Sequence, residues 1–244
     1  MGMVIAVLSG KGGTGKTSVC AGVAICLAEQ GKRVLCVDLD VGLRNLDISL
    51  GMPGEPALAF TDVSQGGALL SDAARHPQYR ELRFLTAPVR ELVPDENAFG
   101  EMILEARERF DYILLDAPAG TGPLFRLAAG YASMQILVTG PDPAALRDGA
   151  RVAELLELMG KEHTRLVVNR VSVRLYREMG VTVDDVMDLV GCPLLGLIPE
   201  DRNVTLAAVQ ERPLMGMTRR GAAAALSRIA RRITGQPVPL MKIK

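Results

Sequence analysis

Short apolar runs alternate with helical patterns along the whole chain. In the helical segments, apolar residues recur every three or four positions, which is the spacing of one helix face. Two such sets are Val19, Val23, Cys26 and Leu27 in an early segment and Val152, Leu155, Leu156 and Met159 in a later one. The apolar runs predict strands over residues 3–8, 33–37, 82–86, 112–115, 135–139, 165–168 and 194–198. This alternation indicates an α/β fold, a doubly wound and mostly parallel sheet with helices on both faces.

The pattern shows one domain and a short tail. No linker, repeat or shift in composition interrupts it, and the glycine- and proline-rich stretch 51–67 is a single long irregular connection. The last helical face is followed by Gly235, a residue type that commonly ends helices. That face consists of Leu226, Ile229, Ala230 and Ile233. We expect a single domain over residues 1–235 and a tail over residues 236–244.

Composition is typical of a globular protein of the cytoplasm. Hydrophobic residues make up 48% and charged residues 23% of the chain, and no apolar run approaches the roughly 18 residues of a membrane helix. Lysine plus arginine and aspartate plus glutamate both count 28, so no overall field attracts nucleic acid or anionic lipid. The four cysteines lack CxxC and metal-ligand spacing, which is typical of reduced core thiols. They are Cys20, Cys26, Cys36 and Cys192.

A glycine-rich segment with the pattern GxxxxGK[ST] follows the first predicted strand. Its residues are Gly10, Lys11, Gly12, Gly13, Thr14, Gly15, Lys16, Thr17 and Ser18. Glycines let the backbone wrap closely around phosphate oxygens, and the helix that follows directs its N–H groups and positive dipole at them. We expect Lys16 to contact the β and γ phosphates and the Thr17 hydroxyl to hold magnesium. The position between a strand and an amphipathic helix disfavours a plain glycine-rich turn.

Lys11 is a second lysine within this loop. It lies ahead of the phosphates and can face outward, where its charge could serve the nucleotide of a neighbouring subunit. A cation supplied in this way would stabilise the transition state of phosphoryl transfer, as an arginine finger does. The alternative is a solvent-exposed lysine that only raises the local potential. The residues alone favour neither interpretation.

Carboxylates follow two of the predicted strands. The second strand ends in Asp38 and Asp40, which we expect to point to opposite sides of the strand end, and another strand ends in Asp116. Magnesium in phosphate sites commonly takes one or two carboxylates besides the phosphates. We therefore predict that Asp38 and Asp116 belong to the metal shell and that Asp40 orients the attacking water. The alternative for an isolated aspartate is a helix cap or a polar turn.

Five ordered segments resemble the motifs of the MinD family, a group of deviant Walker A ATPases. They are GKGGTGKTS, VDLDVGLRNLD, LLDAPAG, VVNR and GLIPED. The resemblance implies an ATP hydrolase that requires Mg²⁺, dimerises when it binds ATP and regulates placement of the division septum. It also implies Min-type partners, namely a division inhibitor and a protein that activates the ATPase. Because VVNRVS lacks the carboxylate of the guanine-selective NKxD pattern, ATP is favoured over GTP.

The resemblance also gives roles to individual residues. Lys11 would be the signature lysine that acts across the dimer, Lys16 and Thr17 would hold phosphate and magnesium, and Asp40 would position the water. The first switch would comprise Asp38, Asp40, Arg44, Asn45 and Asp47, and the second Asp116, Pro118 and Gly120. The adenine side would comprise Asn169, Arg170, Pro199, Glu200 and Asp201.

Two related classes are alternatives. A ParA-type partitioning ATPase would coat DNA, but the zero net charge and the GLRNLD segment argue against it, and we expect no nucleic-acid binding. An iron protein of the nitrogenase type would need cluster cysteines, and the chain has no counterpart of them between Cys36 and Cys192.

The tail departs from the family pattern, which typically adds an amphipathic membrane-targeting helix. Pro237 and Pro239 break helical structure, and residues 240–244 offer only three large apolar side chains and two lysines. We expect membrane contact to be weak or mediated by a partner, with at most a peripheral location at the inner face of the cell membrane. His76 and His163 stand among polar residues, and we assign them no catalytic role.

Overall fold

The computed structural model describes residues 1–41, 44–89 and 94–241. These residues form one eight-stranded sheet. Its strands are β1 Met3–Leu8, β2 Val34–Asp38, β3 Ala74–Arg75, β4 Leu82–Leu85, β5 Tyr112–Asp116, β6 Met134–Thr139, β7 Thr164–Val171 and β8 Leu194–Pro199. Seven of them correspond to the predicted runs. The two-residue strand β3 was not predicted, since two residues are too few to show an alternation.

Eleven α-helices occur in the described part of the chain. They are α1 Lys16–Glu29, α2 Leu46–Leu50, α3 Phe60–Ser64, α4 Glu96–Arg109, α5 Pro123–Tyr131, α6 Pro143–Leu158, α7 Val173–Met179, α8 Val183–Val190, α9 Arg202–Val209, α10 Leu214–Met217 and α11 Gly221–Ile233. A 3₁₀ helix covers Leu70–Asp72. Helix α3 lies inside the stretch 51–67, which the sequence suggested to be irregular throughout. Gly235 follows α11 with a φ of 80°, as its predicted helix-ending role requires.

The strand order is β3-β4-β2-β5-β1-β6-β7-β8, with β1 inside the sheet. All neighbouring pairs are parallel except β3 and β4, which are antiparallel at one edge. The predicted doubly wound α/β fold is therefore confirmed. Because the sheet is parallel, the carboxyl ends of β1, β2 and β5 lie side by side at one edge.

Helices cover both faces of the sheet. In β1, Val4, Ala6 and Leu8 join the core under α4, α5 and α6, while Ile5 and Val7 join the core under α1 and α11. Helix α1 is buried nearly all round, because it packs on the sheet with one side and on α2 and α11 with the other. The single apolar stripe predicted for α1 therefore underestimated its burial.

The start of the predicted tail lies on α11. Val238 is buried, and the Pro239 carbonyl accepts a hydrogen bond from Arg228 at 3.1 Å. Residues 242–244 lie outside the described residues, and the domain boundary at residue 235 stays a prediction. Within the described ranges, no helix is long and apolar enough to cross a membrane.

Candidate functional site

The predicted site residues converge at the carboxyl edge of the sheet. Asp38 at the end of β2 is the register partner of Asp116 at the end of β5, and Val7 of β1 lies opposite Asp116 on the other side. The glycine-rich loop begins at Gly10, two residues after the end of β1, and leads into α1. The fold thus brings the loop and two of the carboxylates together.

The loop backbone depends on glycine. Gly13 and Gly15 have φ values of 80° and 85°, a left-handed conformation that other residues rarely adopt. Gly15 is the N-cap of α1, and no side chain within the described ranges caps that helix. The first N–H groups of a 14-residue helix are therefore directed at the loop interior without a side-chain acceptor. Such an arrangement suits the binding of phosphate oxygens.

Lys16 and Asp116 form a buried ion pair across the site. Lys16 Nζ donates to Asp116 Oδ1 at 2.6 Å, and the two side chains are only 6% and 1% exposed. Burial raises the pKa of Asp116, and the contact with Lys16 opposes that rise. Because each charge is nearly removed from water, the pair depends on both partners, and loss of either would leave a buried charge uncompensated.

The second oxygen of Asp116 offers a place for a cation. Asp116 Oδ2 is buried and accepts no hydrogen bond from any described residue, although the Thr17 hydroxyl lies close enough to lower the pKa of this carboxyl. A carboxylate oxygen beside a hydroxyl is the oxygen-donor chemistry that magnesium prefers. Among the described residues, no three His, Cys, Asp or Glu side chains are arranged to hold a metal by themselves. The donors therefore fit a magnesium ion that takes its remaining ligands from nucleotide phosphates and water.

The sequence predicts that Asp38 and Asp40 point to opposite sides. This prediction is wrong. The Asp40 N–H donates to Asp38 Oδ1 at 2.8 Å, and the charges of Asp116 and Asp40 both act on Asp38. Even in a continued strand, positions two apart would share a side, and Asp40 lies just beyond the end of β2. Burial and the nearby Asp116 raise the pKa of Asp38 to about 7. Burial also raises the pKa of Asp40, which lies close enough for Lys16 to oppose the rise.

Lys11 faces outward. Its side chain is 47% exposed, and Nζ lies 3.5 Å from Oδ1 of the similarly exposed Asp142. Asp142 also caps α6 by accepting from the Ala145 N–H at 3.0 Å. The outward position of Lys11 suits a role in another subunit, but that role stays a prediction. Asp142 was not singled out from the sequence, although an aspartate just before Pro143 is a recognisable signal for a helix start.

Asn169 contacts the phosphate loop directly. Its Nδ2 donates to the Thr14 carbonyl at 2.8 Å, and its Oδ1 accepts from the Arg170 N–H at 2.9 Å. A side chain added at Gly15 would collide with the Asn169 amide. Asn169 therefore supports the phosphate loop through its contacts with Thr14 and Gly15. Arg170 is exposed and adopts a left-handed φ of 57° beside it.

The residues after β8 differ in their surroundings. Pro199 is half-buried and Glu200 is exposed, whereas Asp201 accepts hydrogen bonds through both carboxylate oxygens. Asp201 Oδ1 accepts from the Asn203 N–H at 2.9 Å and Oδ2 from the Ala222 N–H at 3.0 Å. The sequence placed Asp201 beside the adenine, and its side chain is instead engaged with the starts of α9 and α11. Adenine contacts of this segment stay a prediction.

Gly42 and Leu43 of the VDLDVGLRNLD motif lie outside the described residues, whereas all five residues of the predicted first switch lie within them. Arg44 has a left-handed φ of 45°, and its Nε donates to the Thr86 hydroxyl at 3.1 Å. Asn45 is exposed, and the Asp47 carboxylate accepts from the Ile48 N–H at 2.7 Å. Thr86 had no sequence signal, because it meets Arg44 only through the pairing of β2 with β4.

Residues without an assigned role also take clear positions. All four cysteines are buried and free, as expected. His163 is exposed, but His76 is buried with only 2% of its surface exposed, although its sequence neighbours are polar. The arginines near the carboxyl end largely contact nearby groups, as in the pair of Arg219 with Glu29 at 2.7 Å.

Comparisons with known proteins agree with this geometry. Residues 5–214 match the family described as the CobQ/CobB/MinD/ParA nucleotide binding domain. The septum site-determining protein MinD of Helicobacter pylori is 35% identical over 256 aligned positions, covering 100% of this chain and 95% of that protein. A chain of the MinC:MinD cell division protein complex of Aquifex aeolicus superposes with a TM-score of 0.91 at 31% identity, covering 98% of both chains. MinD of Pyrococcus horikoshii, solved with Mg-ADP, superposes with a TM-score of 0.84 at 30% identity and covers 96% of both.

Proposed function

This chain belongs to the MinD family of ATPases, and from that membership we propose that it regulates septum placement as a switch that dimerises with ATP. The substrate is ATP and the cofactor is Mg²⁺. Full-length similarity to septum-site proteins favours this role over that of a DNA-partitioning ATPase. The proposed partners are a division inhibitor and a protein that activates the ATPase, since the related Aquifex aeolicus structure is a MinC:MinD complex.

One observation carries the proposal at the level of chemistry. The buried Lys16–Asp116 pair lies at the uncapped start of α1, beside Thr17 and opposite Asp38. A cation for phosphate, a hydroxyl and two carboxylates thus meet where the backbone N–H groups of a helix converge. These groups are among the parts that recur in the phosphoryl-transfer sites of P-loop ATPases.

Binding of ATP would require Lys16 to change partners. Its Nζ now contacts Asp116 Oδ1 at 2.6 Å, and we propose that it turns to the β and γ phosphates when they enter the loop. Asp116 would then be free, with Asp38 and the Thr17 hydroxyl, to hold Mg²⁺ directly or through water. Mg²⁺, when bound, would neutralise the charge that develops on the phosphate oxygens. The exchange keeps both Lys16 and Asp116 paired with an opposite charge throughout.

Hydrolysis would use the two remaining candidates. Asp40 is half-buried next to Asp38, and we propose that it orients the water that attacks the γ phosphate. Lys11 would leave Asp142 and contact the phosphates of the second subunit, where its charge stabilises the transition state. The adenine would lie against Asn169, Arg170, Pro199, Glu200 and Asp201.

We propose that membrane contact is peripheral and assisted by a partner. The described part of the tail lies against α11, where Val238 is buried and the Pro239 carbonyl is bound by Arg228. An apolar side chain used in this way is not available to enter a lipid surface.

Substitution of Lys16 tests the ATP site. We expect Lys16→Ala to abolish ATP binding measured by calorimetry, because the phosphates lose their principal point charge. Lys32→Ala, beyond the far end of α1, serves as the matched control and should bind normally. Circular dichroism should confirm that the variant is folded, since Asp116 loses its buried partner. Near-normal ATP affinity in folded Lys16→Ala would overturn the proposed site.

A further inference from the structure

A groove rich in arginine lies at the amino edge of the sheet, at the other end of the strands from the phosphate loop. It has a volume of about 530 Å³ and lies where β2, β4 and β5 begin and α4 ends. Two glutamates and five arginines line it, and the arginines are Arg33, Arg75, Arg80, Arg83 and Arg109. Because the phosphate loop lies at the carboxyl edge, a ligand in this groove would not compete with ATP.

Two of the five arginines have carboxylate partners. Arg33 Nη2 lies 2.8 Å from Asp111 Oδ1, and Arg109 Nη2 lies 2.9 Å from Glu105 Oε1. Asp111 and, to a lesser extent, the lining residue Glu81 raise the pKa of Arg33. The protein therefore neutralises these two cations itself.

The other three, Arg75, Arg80 and Arg83, form no ion pair with a carboxylate of the described residues. Arg75 of β3 and Arg83 of β4 are register partners in the antiparallel pair, and like charges placed directly opposite each other destabilise a sheet. Burial and then the charge of Arg75 lower the pKa of Arg83, and no described carboxylate offsets them. A half-buried cation thus lies beside a second cation without a counter-ion.

Arg83 is held in one orientation by the backbone. Its Nη1 donates to the Ser71 carbonyl at 3.3 Å and to the Ala73 carbonyl at 2.8 Å, whereas its Nε and Nη2 donate to no described residue. A guanidinium fixed on one side is pre-organised to bind oxyanions through its remaining N–H groups.

The spread of the three free arginines indicates the size of the ligand. Arg75 and Arg83 face each other, but Arg80 lies three residues before Arg83, at most about 10 Å along the chain. A single anionic group would neutralise the first two and leave Arg80. Several linked anionic groups are needed to contact all three.

We propose that this groove binds an oligophosphate, a small ligand with two or more linked phosphate groups. One phosphate lies between Arg75 and Arg83, and the next contacts Arg80. The proposal stands whether or not the ATPase assignment is correct. A free oligophosphate and the phosphates of a nucleotide share this chemistry, so the experiment has an arm for each.

The probe is sodium tripolyphosphate, compared with orthophosphate at equal ionic strength. EDTA is present, since Mg²⁺ would neutralise much of the phosphate charge. Calorimetry on the full chain should show saturable binding of tripolyphosphate and at least about tenfold weaker binding of orthophosphate, which engages fewer guanidinium groups. UTP tests the source: binding tighter than that of tripolyphosphate indicates a nucleotide, and equal or weaker binding indicates a free oligophosphate.

Substitutions in the lining test the contacts. Arg75→Gln should weaken tripolyphosphate binding about tenfold or more. The ligand-free variant should unfold at a urea concentration no lower than the wild type, because a like-charge contact is removed. Glu108→Gln should strengthen binding, since it removes a negative charge from the lining. Arg174→Gln, which removes an exposed arginine of α7, is the matched control and should bind normally.

Lys16→Ala separates the groove from the phosphate loop. Binding at the groove should survive in this variant and be lost in Arg75→Gln. Loss in Lys16→Ala with full retention in Arg75→Gln would place tripolyphosphate in the phosphate loop and overturn the proposal. Absence of saturable binding to the wild-type chain, or equal affinity for orthophosphate, would overturn it as well.

Discussion

Asp38 and Asp40 stand two residues apart, yet they have different surroundings. Asp38 is 1% exposed and accepts two backbone N–H bonds, from Asp40 at 2.8 Å and from Leu46 at 3.3 Å. Asp40 is half-buried, with no described side chain donating to its carboxylate. A carboxylate that is already fixed suits a structural and metal-linked role, and one that is partly open suits contact with water.

We therefore expect Asp40→Ala to slow ATP hydrolysis by about 10²-fold or more, the usual range for loss of a group that activates water. ATP affinity should change much less, so the ATP-bound dimer should accumulate and persist on gel filtration. Asp188→Ala, an exposed aspartate on α8, is the control and should behave as wild type. If Asp40→Ala abolished nucleotide binding while Asp38→Ala merely slowed turnover, the two roles would be exchanged.

We expect His76 to make the stability of the fold depend on pH. Its Nε2 lies 2.8 Å from the Leu50 carbonyl, and its Nδ1 accepts from the N–H groups of Gln78 and Tyr79. Protonation would place a hydrogen on Nδ1, which two donors already face, and burial lowers the pKa of His76 below its usual 6.5. The unfolded chain therefore binds more protons than the folded one below about pH 6.5, so stability falls as pH decreases.

We expect the urea midpoint to decline from pH 7 toward pH 5. The free energy of unfolding should fall by at most about 1.4 kcal/mol per pH unit from this one group. His76→Gln should have a lower midpoint at pH 7 and a flatter pH dependence. His163→Gln, which changes the exposed second histidine, should leave both unchanged. An equal pH dependence in all three proteins would assign the effect to other groups.

Local patterns predicted the identity of site residues better than their contacts. The phosphate loop and the strand-end aspartates were recognisable, because each depends on residue type and on the element beside it. The Lys16–Asp116 pair joins residues 100 positions apart, and the Asn169–Thr14 bond joins residues 155 apart. Both follow from the order of strands in the sheet, which periodicity does not determine. The carboxylate geometry of Asp38 and Asp40 was predictable in principle and was misjudged.

At the scale of elements, one carboxylate connects three segments. Asp201 follows β8, caps α9 through the Asn203 N–H and binds the Ala222 N–H in the first turn of α11. Gly221 permits this approach, because a side chain there would collide with the Asp201 carboxylate. Helix α11 packs against both α1 and β8. Asp201 thus fixes the amino-terminal end of α11, the helix that covers the outer side of α1.

We expect Asp201→Ala to lower the free energy of unfolding by about 1–3 kcal/mol, since two helix starts lose an acceptor at once. Asp201→Asn keeps one acceptor oxygen, so its free energy of unfolding should lie between those of Asp201→Ala and the wild type. Asp95→Ala, which removes the cap of α4 alone, is the control and should cost less. Urea titration measures all three, and equal losses in Asp201→Ala and Asp95→Ala would show that the contact with α11 contributes nothing.

The burial of α1 on all sides could not be predicted from the periodicity of its apolar residues. A stripe of apolar residues predicted one buried face, but small residues such as Ala21, Gly22 and Ala24 bury the other sides as well. Gly22 lies against Leu226 of α11, where a larger side chain would collide. Small residues carry little apolar signal of their own, so contact between two helices was hidden from periodicity.

At the scale of the whole molecule, the phosphate loop is open to solvent on the side of Lys11, Gly12 and Gly13. Lys11 points away from its own loop. No other described part of the chain comes within 4 Å of where a side chain on Gly12 or Gly13 would lie. A surface that presents a cation and bare backbone beside the phosphates is suited to a second copy of the chain.

Lys11→Ala should therefore bind ATP with near-normal affinity and fail to dimerise or hydrolyse it. Light scattering with a slowly hydrolysed ATP analogue separates binding from association, and hydrolysis should fall by about 10³-fold or more if Lys11 acts as an arginine finger does. Lys161→Ala, at the opposite edge of the sheet, should dimerise like wild type. Normal dimers with normal turnover would reduce Lys11 to a surface lysine.

The central place of β1 has a consequence for how the chain folds during synthesis. Although β1 is made before the other described strands, its register partners begin at Tyr112 on one side and Met134 on the other. The two edges of β1 therefore stay unpaired until β5 and β6 have left the ribosome. Such non-local pairing slows folding, and the unpaired apolar strand is prone to aggregate during this time. We expect the nascent chain to depend on chaperones over this interval. ATP could stabilise the fold only after Asp116, near the middle of the chain, has been synthesised and has taken its place beside β1.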